Sequence, residues 1–380
     1  MTADRPVIPA TRFAARLAAA AAAVGDAGLD AAFIGVGSDL RYLTGYAAMP
    51  LERLTLLVLR ADREPTIIVP RLERGAAEAG IRTPLAIRTW DETEDPHALA
   101  IADLAPGARI AVSDTLLAMH LVRLQAVVAP GAEWSLASGV LRDLRMVKDA
   151  DEVALLRLAA QAADRVVAHI AAGRLVGRTE ADVAREVRER LIVEGHDEAH
   201  FAIVGSGPNS ASPHHEASDR TIAAGEPIVL DIGGALGGYG SDITRVLWVT
   251  GGDAARGPDD RYRSLFDVLH HAQAAGTRAV RPGVACAAID AACRAPIEAA
   301  GYGEAFFHRT GHGIGLEEHE DPYLVAGNDL PLRSGMAFSV EPGIYLPGVY
   351  GARIEDIVVC GDDGPIVLNQ APRDLYIVDG

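Results

Sequence analysis

The feature that most constrains the fold of this chain is a pattern that occurs twice. Gly177 and Gly195 bracket the segment GRTEADVAREVRERLIVEG, and Gly283 and Gly301 bracket GVACAAIDAACRAPIEAAG, each pair 18 residues apart. Each bracketed helix follows a long helical stretch and precedes apolar, strand-like runs. The runs after the first carry Asp231 and Asp242, and those after the second carry Glu341 and Glu355. A duplicated unit that contributes one pair of carboxylates from each half predicts a pseudo-symmetric domain with its site at the seam.

The segment before this duplication reads differently. A helix is expected over about 10–27, stopping near Gly28. Apolar runs follow at 31–35, 54–59, 66–69 and 109–112, with helical stretches between them. This is an α/β pattern with a mixed sheet. Asp149 and Glu152 have the D-x-x-E spacing of a capping box at the head of an amphipathic run. A long helix to about Ala172 should therefore open a second domain. The expected division is 1–145 and 146–380, in keeping with the usual domain size.

Four segments carry the chemistry. In PIVLDIGGALGGYGSDITRVLWV (227–249), two apolar strands flank a Gly-rich turn. That predicts a hairpin in which Asp231 interrupts one strand and Asp242 opens the other. A carboxylate in an apolar strand is costly unless it is paired or bound to a metal; Arg245 is the nearest candidate partner. In FFHRTGHGIGLEEHEDPY (306–323), His308 and His312 have the spacing of a helical zinc site, but the glycines at 311, 313 and 315 argue against a helix. A Gly-rich loop that aims His312 into a cavity is expected instead. In GMAFSVEPGIYLPGVYGARIEDIVV (335–359), Glu341 ends one strand and Glu355 lies within the next. Period-2 alternation puts Arg353 and Glu355 on one face, where Arg353 either steadies a ligating carboxylate or forms a plain ion pair with Glu355 or Asp356. The loop GSGPNSASPHHEAS (205–218) carries His214 and His215. A loop histidine beside such a centre is a candidate proton shuttle.

Taken together, LDIG, SDITR, HRTGHGIGLEEHEDPY, VEPGIY and RIEDIVV, in that order, resemble the pita-bread metallopeptidases that include prolidase and aminopeptidase P. The resemblance covers roughly 145–380. GVGSDLRYLTGY (35–46) is similar to the N-terminal domain of the proline-directed branch. It implies a creatinase/prolidase-like α/β domain followed by a pita-bread catalytic domain. It also implies two divalent metal ions held by Asp231, Asp242, His312, Glu341 and Glu355. Such a hard, oxygen-rich set suits Mn²⁺, with Co²⁺ or Zn²⁺ as alternatives. The resemblance casts Glu341 as proton acceptor, His214 and His319 as groups contacting substrate or intermediate, and a homodimer as the assembly.

The substrate implied is a small peptide with proline at its second position. Many prolidases restrict themselves to dipeptides with an arginine that binds the terminal carboxylate, and here Tyr323 stands at that position. Arg53, from the N-terminal domain, is a candidate replacement, since a guanidinium grips a carboxylate with two hydrogen bonds. An Xaa-Pro dipeptidase is the expected function, with an aminopeptidase P acting on longer peptides as the alternative. Two rivals of other classes are a metal-free C–N hydrolase and a non-catalytic binding module. Relatives of either kind usually lack part of the ligand set that this chain retains.

Composition narrows the remaining choices. A net charge of −17 argues against nucleic acid as a partner. Cys286, Cys293 and Cys360 form no CxxC pair, so neither a disulfide framework nor a structural zinc site is expected, and a reducing cytoplasm is the default. The alanine run from Leu17 to Val24 lacks the apolar centre of a signal peptide, and no stretch reaches the roughly 18 apolar residues of a membrane span.

Overall fold

The structure is a computed structural model that describes residues 5–379. It divides into two compact units, residues 7–145 and the chain from Met146 onward. Arg5 and Pro6 go with the second unit, where Arg5 forms an ion pair with Asp197 at 2.9 Å.

The first unit is a six-stranded mixed sheet. Its strands are β1 (Ala31–Ile34), β2 (Leu56–Leu59), β3 (Thr66–Pro70), β4 (Ala86–Trp90), β5 (Arg109–Val112) and β6 (Glu133–Leu136), in the order β4-β3-β2-β1-β5-β6. β2 runs antiparallel to both β1 and β3, and the other pairings are parallel. The four apolar runs of the sequence are the four inner strands. β4 and β6 are the edges; they are more exposed than the inner strands, so they carry little apolar signal. The helix Ala10–Asp26 buries Phe13, Leu17, Ala20 and Val24 along one stripe, as expected of an amphipathic helix.

The second unit repeats a helix–helix–strand theme. In the first half, helix Ala150–Ala172 opens with the expected capping box: Glu152 N–H donates to Asp149 (3.0 Å) and Asp149 N–H donates to Glu152 (2.9 Å). Helix Glu180–Val193 follows, capped by Thr179 on Asp182 N–H at 3.1 Å. Then come β7 (Glu198–Ser206), β8 (Glu226–Leu236) and β9 (Tyr239–Val249). In the second half, helices Asp260–Ala279 and Cys286–Ala299 precede β10 (Gly311–Gly313), β11 (Glu320–Leu324), β12 (Ala337–Val340), β13 (Gly343–Leu346), β14 (Tyr350–Arg353), β15 (Asp356–Cys360) and β16 (Pro365–Val367). β17 (Tyr376–Val378) returns to pair with β9, giving the sheet β17-β9-β8-β7, while β11-β10-β12-β15-β16 forms its counterpart.

The β8–β9 hairpin positions the site. Its turn is only Gly237–Gly238, both at positive φ (64° and 90°), the two-residue turn that matches the twist of paired strands. Both strands are buried along almost their whole length. Ile228, Leu230, Ile232, Ile243, Leu247 and Val249 point into the core of the first half. Val229, Val246 and Trp248 point the other way, into the core of the second half. By the alternation of a strand, Asp231, Asp242 and Thr244 share this second face. The register pairs Asp231 with Thr244 and Asp242 with Gly233, so the two aspartates are diagonal neighbours.

Candidate metal centre

Each half delivers its acidic groups by a different route. Asp231 and Asp242 come from the long hairpin, whose apolar flanks hold the strands rigidly between two cores. Glu341 follows the end of β12, its N–H donating to Thr310 O at 2.8 Å. Glu355 lies in the break between β14 and β15, not within a continuous strand. Its N–H donates to Thr244 O at 3.2 Å, an isolated bridge that ties the second half to β9. Thr244 returns the contact by donating its hydroxyl to Glu355 Oε2 at 2.7 Å.

His312 sits in the short strand β10, not in a loop. The glycines around it serve close packing: a Cβ at Gly311 would lie 2.0 Å from Ser339 O, and one at Gly313 would lie 2.2 Å from Asp321 O. His312 Nδ1 faces Gly313 O at 3.1 Å, so that nitrogen donates. Its Nε2 then faces Glu341 Oε1 at 3.2 Å and Asp242 Oδ2 at 3.6 Å. Ligating atoms of Asp242, His312 and Glu355 all lie within 4.8 Å of one another.

Asp231, Asp242, His312, Glu341 and Glu355 line one cavity of about 640 Å³, together with His214, His319 and Arg353. Phe201, Phe307, His308, Arg309 and Glu318 complete much of its wall. Arg353 projects beside Asp231, not toward Asp356. Its guanidinium donates to Asp231 Oδ2, to Tyr345 Oη (2.7 Å), to Thr244 Oγ1 (3.1 Å) and to Pro213 O (3.2 Å). Arg245, a possible partner for the hairpin aspartates, is instead buried against Asp356 at 2.6 Å.

The electrostatics of the cavity are those of a site short of positive charge. Burial, then the charges of Glu355 and Asp231, push Asp242 well above the usual carboxylate range. Burial and the charges of Glu341 and Asp231 do the same to Glu355. Burial raises Asp231 as well, against the pull of Arg353. Glu341 alone moves down, to about 2, because the His312 hydrogen bond and charge overcome its burial. Among the described residues, Asp231 Oδ1 and Glu355 Oε1 are buried with no hydrogen-bond donor. Buried carboxylate oxygens of this kind are paired or coordinate metals, and a His312 Nε2 aimed at carboxylates completes a donor set that fits divalent cations.

The remaining sequence candidates fall in different places. His214 lines the cavity from the turn after the short 3₁₀ segment Gly207–Ala211. His319 stacks on His312 with ring centroids 3.9 Å apart. Tyr323 is in β11, opposite His312 in register, but does not itself line the cavity. Arg53 belongs to the first unit, where Glu52 and Glu92 each engage its guanidinium at 2.8 Å. Thr244, Ser339, Tyr345 and Arg309 escaped the sequence reading. Ser339 accepts from His312 N–H at 3.0 Å and donates to Glu341 at 3.0 Å. Such bonding residues carry no signal of their own in a strand. Thr244, Tyr345 and Arg309 lie inside SDITR, VEPGIY and HRTGHGIGLEEHEDPY, but a motif does not say what each side chain touches.

With this geometry in place, the chain can be set among known proteins. Residues 154–362 match metallopeptidase family M24, and residues 16–147 match the creatinase/prolidase N-terminal domain. The chain belongs to family M24 and is a peptidase of that metal-dependent class. It is 48% identical over 371 residues to the probable dipeptidase PepE of Mycobacterium tuberculosis, covering 96% of each chain. It is 33% identical to the Xaa-Pro dipeptidase of Lactobacillus helveticus, covering 93% of this chain and 96% of that one. The crystal structure of dipeptidase PepE from Mycobacterium ulcerans superposes with a TM-score of 0.89 at 47% identity, covering 98% of this chain and 99% of that one. No helix among the described residues is long and apolar enough to cross a membrane.

Proposed function

We propose that this chain is an Xaa-Pro dipeptidase working with two divalent cations, Mn²⁺ first among them. Asp231, Asp242, His312, Glu341 and Glu355 would hold the metals. The observation that carries this reading is the convergence of four carboxylates and the His312 Nε2 on one cavity in which Asp231 Oδ1 and Glu355 Oε1 meet no donor among the described residues. Similarity to proteins described as dipeptidases and Xaa-Pro dipeptidases supports the substrate class. When bound, the cations would polarise the scissile carbonyl and make water a nucleophile near neutral pH.

The protein groups then divide the work. Glu341, at the edge of the set, accepts the proton of the attacking water. Ser339 fixes its carboxylate on one side by donating to Oε1. Arg353 holds Asp231 and, through Pro213 O, the segment that carries His214. His214 and His319 face the space where a peptide carbonyl and its leaving nitrogen would lie, and act as hydrogen-bond donors there. Phe201 and Phe307 supply apolar wall for a side chain or a proline ring.

The test is a pair of assays on protein loaded with Mn²⁺. Metal analysis should find close to two ions per chain. An Xaa-Pro dipeptide should be hydrolysed faster than the corresponding Xaa-Pro-Yaa tripeptide, with activity lost on chelation. Faster turnover of the tripeptide would move the assignment to aminopeptidase P.

A further inference from the structure

His319 is not held in place by a sheet. It lies in the irregular stretch 315–319 between β10 and β11, and it is exposed. The residues on either side of it are tethered. Glu320 forms an ion pair with Lys148 at 2.5 Å. Glu318, which lines the cavity, accepts from His200 Nδ1 at 2.5 Å. The two pairs are unlike. The side chains of Lys148 and Glu320 are 1% and 8% exposed, and those of His200 and Glu318 are 33% and 32% exposed. The first pair is sealed into the body of the unit. The second is an open clasp at the rim of the cavity. We propose that His200, acting through Glu318, is a positioning residue that seats His319 for the reaction. The inference rests on the Xaa-Pro dipeptidase reading given above, and it adds a residue that does not itself line the cavity.

Three features support it. The first is the way the backbone aims His200. In the register of β7 on β8, Ala199 pairs with Gly234 and Phe201 with Gly233, which leaves His200 as one residue too many. A β-bulge of this kind re-aims a side chain. Ala202 and Val204 point into the core of the first half, and plain alternation would send His200 there with them. The extra residue gives that place to Ala199 and turns His200 out to Glu318, while Phe201 keeps its face on the cavity. The second is charge. His200 stands between two carboxylates, Glu318 at Nδ1 and Glu198 at 3.5 Å from Nε2. The Glu318 hydrogen bond raises the pKa of the ring against the effect of burial, which favours the cation that the clasp needs. The third is what the clasp keeps in order. The charge of Glu318 is felt at Asp242, so an untethered Glu318 would bring a fifth mobile carboxylate into the cavity beside the metal set. On the other side of His319, Arg309 Nη2 faces Nδ1 at 3.4 Å. An arginine only donates, so Nδ1 accepts and the ring proton sits on Nε2. Holding Glu318 back leaves that N–H free for the substrate.

The experiment measures Ala-Pro hydrolysis on metal-loaded enzyme for the wild type and a set of variants. His200→Gln should lower kcat by about tenfold, the signature of a group that acts in the transition state and has lost its place. KM should stay within about twofold, with metal content unchanged. An ion pair this exposed adds little to stability, so the thermal midpoint should stay within about 2 °C of the wild type. Glu318→Gln should lose as much, and the double variant no more than either single one. His200→Lys keeps a cation at the bulge and should recover most of kcat, which it would not do if His200 only filled space. In a His319→Ala background His200→Gln should cost nothing further, because the residue it positions is gone. Wild-type kcat in His200→Gln, a loss that follows lowered metal content, or an equal loss with and without His319 overturns the clasp while leaving the dipeptidase reading intact. A metal-loaded wild type that hydrolyses neither Ala-Pro nor Ala-Pro-Ala overturns that reading, and the role of the clasp with it.

Discussion

Two regions of the second unit bury carboxylates in opposite ways. Glu180, in the first turn of helix Glu180–Val193, is fully buried, yet its two oxygens are surrounded by donors. Ser206 N–H and Oγ–H reach Oε1 at 2.8 and 2.7 Å, Ser218 N–H and Oγ–H reach Oε2 at 3.1 and 2.6 Å, and His215 Nε2 and Asn209 Nδ2 add to these. Burial pushes its acid up, but the bonds from Ser218, His215 and Ser206 outweigh it and hold Glu180 at about 2. At the cavity, Asp242 and Glu355 are equally secluded, and their acids are pushed the other way. Burial therefore does not separate structural from functional carboxylates; the supply of donors does. The Glu180 pocket is complete within the protein. The cavity is completed only by something positive from outside.

The largest effect expected from this contrast is on activity. Asp242→Ala or His312→Ala should lower Xaa-Pro hydrolysis by at least about 10³-fold, equivalent to roughly 4 kcal/mol of transition-state stabilisation. The metal-free fold should survive, with a chemical-denaturation midpoint within experimental error of the wild type. A variant that unfolded, or a His312→Ala protein that kept near-normal activity with Mn²⁺, would break the comparison on the cavity side.

Glu180→Ala is the converse. Removing an acceptor that satisfies so many buried donors should cost about 3–5 kcal/mol of stability, read as a lowered midpoint in the same experiment. Glu180→Gln keeps one good acceptor and should cost less. Because this carboxylate anchors Ser206, His215 and Ser218 at both ends of the 207–218 segment, any loss of activity should follow the loss of structure and be restored by conditions that stabilise the fold.

The acid limb of the stability curve tests the same pocket. Glu180 has its folded pKa lowered from 4.5 to about 2. Its contribution is therefore complete above pH 4.5 and is lost as pH falls from there toward 2. A difference of that size corresponds to about 3 kcal/mol. Glu180→Gln should remove this part of the pH dependence, flattening the curve between pH 4.5 and 2 while leaving the neutral region parallel to the wild type.

The two regions also differed in how well the sequence disclosed them. The carboxylates of the cavity stand out because acidic residues interrupt apolar strands, and the glycine-bracketed repeats showed that they come in pairs. The capping box at Asp149 and the hairpin were legible because both are local patterns. Glu180 was not legible: an acid in the first turn of a helix reads as an ordinary partner of the helix dipole, and its donors lie 26 to 38 residues away. The partner of Arg353 was equally hidden. Strand alternation says which side chains share a face, but not that Asp231, 122 residues distant, fills the space opposite. The break at Glu355 and the short strand at His312 depend likewise on contacts with β9 and Ser339.

The smallest effect is the most direct test of what the cavity lacks. Glu355→Gln replaces a buried carboxylate with a neutral amide of the same shape and keeps the acceptor that Thr244 uses. Without metal, this removes one of the like charges facing Asp231 and Glu341. The metal-free variant should then be more stable than the metal-free wild type, by about 1 kcal/mol or a few degrees in Tm. With Mn²⁺ the order should reverse. Saturating metal stabilises the folded wild type by about 3 kcal/mol per site at a hundredfold excess over Kd, and a variant with a ligand removed gains less of it. The same substitution at Glu180 should destabilise the protein with or without metal. Equal behaviour of Glu180→Gln and Glu355→Gln across the two conditions would mean that the cavity carboxylates are structural after all, satisfied by the protein in a way their geometry does not show.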